Sequence, residues 1–157
     1  MDPESAESKL FSALQLSHMT LSIAESVTGG ALAKCFSDLP ESYRVLRGSL
    51  MTNSNLLRMR LLGVSEDTLK KESCASARCA VEMANGIRKV MQTDYAISTT
   101  GDPKQRDRSV YIGVSTPQRS FSFRFVHEAD SVTEEIRKAV CAKAFLRLYR
   151  EITGETR

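Results

Sequence analysis

Leu21-Ser-Ile-Ala-Glu-Ser-Val-Thr-Gly-Gly30 places a carboxylate, two hydroxyls and two glycines directly after a short apolar run. A strand ending at Glu25-Ser26, with a helix starting near Thr28, holds the Ser26 hydroxyl at the carboxyl edge of a sheet, where open α/β sheets keep their sites. Gly29 and Gly30 let the backbone approach a bound group. The first amides of the helix carry partial positive charge suited to an oxyanion or phosphate. The chemistry on offer is a serine nucleophile beside an anion hole. An alcohol near its free pKa attacks poorly, so such a nucleophile needs a neighbouring base, and the tetrahedral oxyanion needs fixed donors. The same residues have a structural reading: Thr28 caps the helix and the glycines pack it on the strand. Glu25 has two readings as well, general acid or acceptor of strand-end amides, and the second is the commoner use of a lone carboxylate at a strand end.

The elements that must position these groups follow from periodicity and punctuation. Asp2-Pro3-Glu4 has the form of a helix start, and Leu10, Phe11 and Leu14 form the buried stripe behind it. Thr20 to Ala24 reads as a strand, the helix from Thr28 ends before Pro40, and Arg44 to Met51 reads as a second strand. Asn55 to Leu62 is a short helix stopped by Gly63, Ser65 caps a further turn, and Ser76 caps a longer helix whose apolar residues recur at three and four. Asp94 to Thr99 and Ser109 to Ser115 are strands on either side of a polar loop. In Arg119 to Val126, Phe121, Phe123 and Phe125 alternate with polar residues, as in an antiparallel strand at the edge of a sheet. Ser131-Val-Thr-Glu134 has the form of a capping box, and Val132, Ile136, Val140, Ala144 and Leu148 line the closing helix. This order predicts one α/β domain over residues 1–157, a three-layer α/β/α sandwich with a mixed sheet of about five strands.

Composition excludes several classes. At 157 residues with a net charge of +3 and interspersed charges, the chain lacks the concentrated basic surface of a nucleic-acid binder. The Lys104, Arg106, Arg108 cluster is interrupted by Asp102 and Asp107 and has no aromatics for stacking bases, so it reads as a solvated loop. Cys35, Cys74, Cys79 and Cys141 do not have metal or redox spacing, and His18 and His127 are isolated. No metal or cofactor is expected, and the thiols read as reduced. No apolar run reaches membrane-spanning length and no leader pattern is present, so a cytoplasmic protein without membrane contact is expected.

Ala24-Glu-Ser-Val-Thr-Gly-Gly30 resembles the Ala-Glu-Ser-Cys-Thr-Gly-Gly signature of the CinA carboxy-terminal domain family of competence/damage-inducible proteins. Further pieces match in order: Gly48 through Ser54-Asn55 to Leu61-Leu62-Gly63-Val64, Ser76 with Glu82-Met83-Ala84-Asn85-Gly86, Thr100-Gly101, and Val110-Tyr111-Ile112-Gly113-Val114. The collinear set covers about residues 8–150 and is more specific than any single piece. The resemblance implies a domain similar to nicotinamide-nucleotide amidohydrolases, which convert nicotinamide mononucleotide to the acid and ammonia, and it implies a homo-oligomer. It places Ser26 at the nucleophile position. Glu25, Thr28, Gly29, Gly30, Asn53, Asn55, Thr100, Gly101 and Arg137 are the implied substrate-binding positions.

The chain departs from that pattern where the chemistry is decided. The family lysine that serves as base falls on Arg58 and the neighbouring tyrosine on Asn53. Arginine keeps its proton in essentially any protein setting, so Arg58 is suited to hold a phosphate or carboxylate and unsuited to take a proton. Leu56-Leu57 replaces an acidic-alanine pair, which predicts burial or a partner surface. Asp102 to Arg108 replaces a longer glycine-rich loop of the kind that cradles ligands with its amides. Thr133 stands where the family has an arginine preceding the one at Arg137. Lys34, Lys104 and His127 are the remaining candidates for a base. The expectation is a catalytically impaired member that retains a site for a pyridine nucleotide, another small anion or a protein partner, with an active Ser26 amidohydrolase as the alternative.

Overall fold

The computed structural model describes residues 4–102, 104 and 106–155. Its first helix, α1 (Ala6–Leu16), begins where the Ser5 hydroxyl accepts the Ser8 amide, one of the donors that a helix start leaves without a partner. The expected start at Asp2 and Pro3 lies outside the described residues. Leu10, Phe11 and Leu14 turn inward as their spacing predicts.

Five strands, β1 (Leu21–Glu25), β2 (Leu46–Met51), β3 (Tyr95–Gly101), β4 (Ser109–Ser115) and β5 (Ser120–Val126), form one sheet in the order β2-β1-β3-β4-β5. β2, β1 and β3 run parallel, and β4 and β5 add as antiparallel hairpin partners. β1 is buried along its whole length, since parallel neighbours on both sides and helices on both faces leave it no wet side. On the edge strand β5, Phe121, Phe123 and Phe125 lean on the core.

The remaining helices are α2 (Ala31–Ser37), α3 (Asn55–Leu62), α4 (Glu66–Lys71), α5 (Ala77–Met91) and α6 (Glu134–Thr153). α1, α2 and α6 cover one face of the sheet, where Leu10, Phe36, Phe145 and Leu148 meet Ile23, Ile97 and Ile112. α5 covers the other face with α3 behind it, so that Met83, Ile87 and Leu62 meet Ala24 and Ala96. This is the expected three-layer α/β/α sandwich with a mixed sheet. The α3–α5 crossing is close because Gly86 sits under Leu62, and a Cβ there would overlap the Leu62 carbonyl backbone. Gly86→Ala is therefore expected to lower stability by about 3 kcal/mol, the upper part of the usual cost of overpacking. Urea denaturation reads this directly, and a loss below about 0.5 kcal/mol would mean that the two helices slide apart freely.

Among the boundaries that differ from the sequence expectation, two bear on the site. α2 starts at Ala31, after Gly30 in a left-handed conformation (φ 89°), and Thr28 is buried ahead of it. α6 is capped by Thr133, whose hydroxyl accepts the Ile136 amide, so Ser131 lies outside the helix. The start of the second strand is a 3-10 turn at Ser42–Arg44, and extended pairing begins at Leu46.

Candidate functional site

Parallel strands deliver their carboxyl ends to the same edge, and the β1–β2 register sets Glu25 beside Met51 there. The Thr52 amide donates to the Glu25 carbonyl, which fixes the chain just beyond both strands. A cavity of about 490 Å³ opens at this edge, a size suited to small-molecule ligands. Ser26 and Gly29 of the β1–α2 turn form one wall, with Asn53 and Arg58 adjoining. Ser131 and Val132, from the segment entering α6, and Arg137, from its first turns, complete the lining, with the Arg137 side chain next to Gly29. Residues far apart in sequence, Ser26, Gly29, Asn53, Arg58 and Arg137, thus share one cavity.

Ser26 is almost fully buried. Its amide donates to the Thr99 carbonyl at 3.1 Å. Its hydroxyl lies 3.4 Å from the Thr99 carbonyl and 3.5 Å from the Thr100 hydroxyl, long distances for O–H···O bonds. Thr100 donates instead to the Cys74 carbonyl at 2.7 Å. Among the described residues, no lysine, histidine or carboxylate lines the cavity. Lys34 pairs with Asp38 at 2.6 Å on an exposed part of α2. The Lys104 amide bonds Asp102, and the His127 amide bonds the Arg108 carbonyl just past β5.

Glu25 and Thr28 are engaged with the fold and lie outside the cavity lining; of its two readings Glu25 takes that of a hydrogen-bond acceptor, with helix amides in place of strand-end ones as donors. The Glu25 carboxylate, 1% exposed, accepts the Thr28 hydroxyl at 2.6 Å and the Leu32 and Ala33 amides at 3.1 and 2.9 Å. It caps α2, and the positive end of that helix is already occupied by the chain's own anion. Thr28 also shares a 2.6 Å hydrogen bond with Thr99. The expected anion hole at the helix start is therefore filled from within. Gly30 caps α2, Thr100 and Gly101 belong to β3, and none of the three is in the cavity lining. A Cβ on Gly101 would press on the Ser109 carbonyl and Val27, so this glycine serves close packing.

Arg58 is the most unusual group here. It is 2% exposed, its Nη1 donates to the Asn55 side-chain oxygen at 3.1 Å, and its Nε has no partner. It makes no ion pair among the described residues. Asn55 thus acts on Arg58 and does not line the cavity. Nearby, burial pushes the Cys79 thiol up to about 12 against the pull of the Arg58 guanidinium, which leaves that sulfur neutral. Arg137, the second cavity cation, has one long contact with Glu134 at 3.9 Å. Leu56 and Leu57 are exposed, at 53% and 41%, and leave the cavity open. Burial, one of the two expectations for that pair, is thereby corrected: on α3 the inward positions are Arg58 and Leu62, four apart on one face.

Sequence reasoning missed Ser131 and Val132 as cavity walls, because both fit a capping pattern that Thr133 fulfils one turn boundary later. The described residues contain no cluster of metal-binding side chains, and no helix is long and apolar enough to cross a membrane.

Residues 3–152 match the CinA C-terminal domain family. A CinA-like protein from Endomicrobium trichonymphae is 36% identical over 143 residues, which are 87% of this chain and 33% of that protein. A CinA-like protein from Petrotoga mobilis is 34% identical over 149 residues, 90% of this chain and 36% of that protein. The chain spans about a third of the length of these curated relatives. The crystal structure of a CinA superfamily protein from Enterobacter cloacae superposes with a TM-score of 0.86 at 23% identity, covering 94% of this chain and 90% of that one. One from Klebsiella pneumoniae gives 0.87 at 22%, covering 96% and 97%. At such identities the likeness is one of fold.

Proposed function

The chain belongs to the CinA C-terminal domain family, and from that premise we propose that it binds a small anionic ligand of mononucleotide size in the Ser26–Arg58–Arg137 cavity without hydrolysing it. The observation that carries this reading is Arg58, a buried guanidinium on the cavity wall with an unpartnered Nε and no counter-charge among the described residues. Burying a cation without an anion costs several kcal/mol. A phosphate or carboxylate bound there would supply the missing counter-charge through charge-assisted hydrogen bonds to the guanidinium. Arg137 in the same lining adds a second cation, and Asn53, Ser26 and Ser131 offer neutral polar contacts. A pyridine mononucleotide, the ligand implied by the family resemblance, carries one phosphate and fits the charge pattern.

Turnover is disfavoured by the surroundings of Ser26. Its hydroxyl needs a proton acceptor, and the two basic side chains sharing its cavity, Arg58 and Arg137, are guanidiniums that stay protonated. Loss of a general base typically removes about two to four powers of ten in rate. The second reading, an amidohydrolase on nicotinamide mononucleotide with Ser26 as nucleophile, rests on the place of that serine in the wall of an open cavity.

Calorimetric titration with nicotinamide mononucleotide tests the binding claim. The wild-type chain is expected to bind with a dissociation constant tighter than about 1 mM. Ser26→Ala should stay within about threefold of it, since the serine supplies one neutral contact, and Arg137→Ala should lose about tenfold. Absence of binding by nicotinamide mononucleotide and by inorganic phosphate alike, at millimolar concentration, would overturn the proposal.

A further inference from the structure

The amino edge of the parallel strands, the end of the sheet away from the Ser26 cavity, carries a second concavity. Here β4 turns back into β5 beside the last turns of α6. A cavity of about 440 Å³ is lined by Arg119, Arg147, Arg150, Glu151, Gly154 and Glu155, within the range of small-molecule sites. Arg137 and Arg150 lie 13 residues apart on α6, which separates the two cavities by about 20 Å along that helix. Three guanidiniums and two carboxylates make the lining net positive. We propose that this cavity binds the phosphate group of a small hydroxylated phosphate monoester.

Two of the arginines are held in place by the fold itself. Arg119 sits in the β4–β5 turn, where its amide donates to the Thr116 hydroxyl at 3.0 Å. Its carbonyl accepts the Thr116 amide and hydroxyl, each at 2.9 Å. The Arg119 guanidinium donates two bonds of 2.7 Å to the Glu151 carboxylate, and Arg147 reaches the same carboxylate at 3.0 Å. Both guanidiniums also lie over the Phe121 ring, 4.9 and 4.4 Å from its centroid, a favourable cation–π placement. Glu151 engages only part of each donor fork, so donors remain for a ligand. Arg150 is the group that lacks an anion. Its Nε is withdrawn from water without a hydrogen-bond partner, and it makes no ion pair among the described residues. The negative end of the helix dipole draws arginines to this end of α6. That accounts for their charge and leaves the buried, unpaired Nε without a role, whereas a bound phosphate supplies the missing counter-charge to the Arg150 guanidinium.

The lining selects the ligand class. A carboxylate presents two coplanar oxygens and is satisfied by two arginines, as Glu151 is here. A tetrahedral phosphate accepts from several donor forks at once and carries more charge. Glu155 stands in the same lining and repels a chain of phosphates. One of its oxygens accepts the Tyr149 hydroxyl at 3.0 Å, and the other is an acceptor for a ligand hydroxyl. No aromatic ring is in the lining to stack a base. A single phosphate with hydroxyl groups beside it matches these features. The inference stands apart from the ligand assigned to the Ser26 cavity, since the two linings share no residue.

The test is titration of the isotope-labelled full chain with glycerol 3-phosphate, followed by amide NMR. Gly154 reports on this cavity and Gly29 on the other. The Gly154 resonance should shift saturably with a dissociation constant of about 1 mM, and neither glycerol nor potassium chloride at matched ionic strength should reproduce the shift. Inorganic phosphate, which lacks the hydroxyl for Glu155, should act on the same resonance at least about threefold more weakly. Arg150→Gln should weaken binding at Gly154 by at least about tenfold and leave the Gly29 response as in the wild type. Arg119→Gln, in the exposed hairpin turn, should lose about threefold or more and decides the matter if Arg150→Gln fails to fold. The proposal is refuted by the lack of a saturable shift at Gly154, by the same shift from glycerol or potassium chloride, by equal affinity for inorganic phosphate, or by wild-type affinity in either variant.

Discussion

Replacing Arg58 with methionine is expected to stabilise the ligand-free protein by about 1–3 kcal/mol and to weaken nicotinamide mononucleotide binding by at least about 30-fold. The two effects have opposite signs because one group causes both. The guanidinium is withdrawn from water without a counter-ion among the described residues, and its single neutral bond to Asn55 recovers about 1 kcal/mol. Methionine fills a similar volume, needs no partner and adapts to irregular space. With an anion bound, Arg58 becomes one half of a buried charge-assisted pair, and truncating such a pair costs about 2–5 kcal/mol. Urea denaturation and calorimetric titration of the same preparation give both quantities. Destabilisation with unchanged binding would instead make Arg58 a strut of the fold.

Glu25→Ala should be the most damaging single change in the β1–α2 turn, lowering stability by about 3–5 kcal/mol. The carboxylate accepts three hydrogen bonds in a fully buried position and neutralises the positive end of α2. Alanine leaves the Leu32 and Ala33 amides and the Thr28 hydroxyl without their acceptor. Glu25→Gln keeps the shape but offers one acceptor oxygen and turns an NH₂ group towards backbone donors, so a loss of about 2–3 kcal/mol is expected. Denaturant midpoints measure the series. A Glu25→Gln protein as stable as wild type would reopen the general-acid reading of this residue.

The sheet was legible because its evidence is local. The alternating phenylalanines of β5 and the three-and-four spacing on α5 each determine a face without reference to the rest of the chain. The gathering of Ser26, Asn53, Arg58 and Arg137 depends instead on the parallel register of β1 with β2 and on α6 packing against α2, and it was accessible only through the family pattern. The acceptor role of Glu25 was one of its two readings, but its donors escaped because helix caps are read over three residues, whereas its carboxylate reaches amides seven and eight residues on. The orientation of α3 escaped for a different reason. Its inward face holds Arg58 with Leu62, and its outward positions hold Leu56, Leu57 and Leu61, so an apolarity count points the helix the wrong way. Local rules fail at the residue that the ligand proposal depends on, as expected where a site is retained against the demands of packing.

Ammonia release from nicotinamide mononucleotide by the wild-type chain and by Ser26→Ala, assayed side by side at high protein concentration and long incubation, addresses the central claim most directly. A cavity with a serine and two cations and, among the described residues, no lysine, histidine or carboxylate in its lining predicts that the two proteins release ammonia at the same background rate while both bind the nucleotide. Release by the wild type that disappears in Ser26→Ala would contradict the account and make the chain a working amidohydrolase.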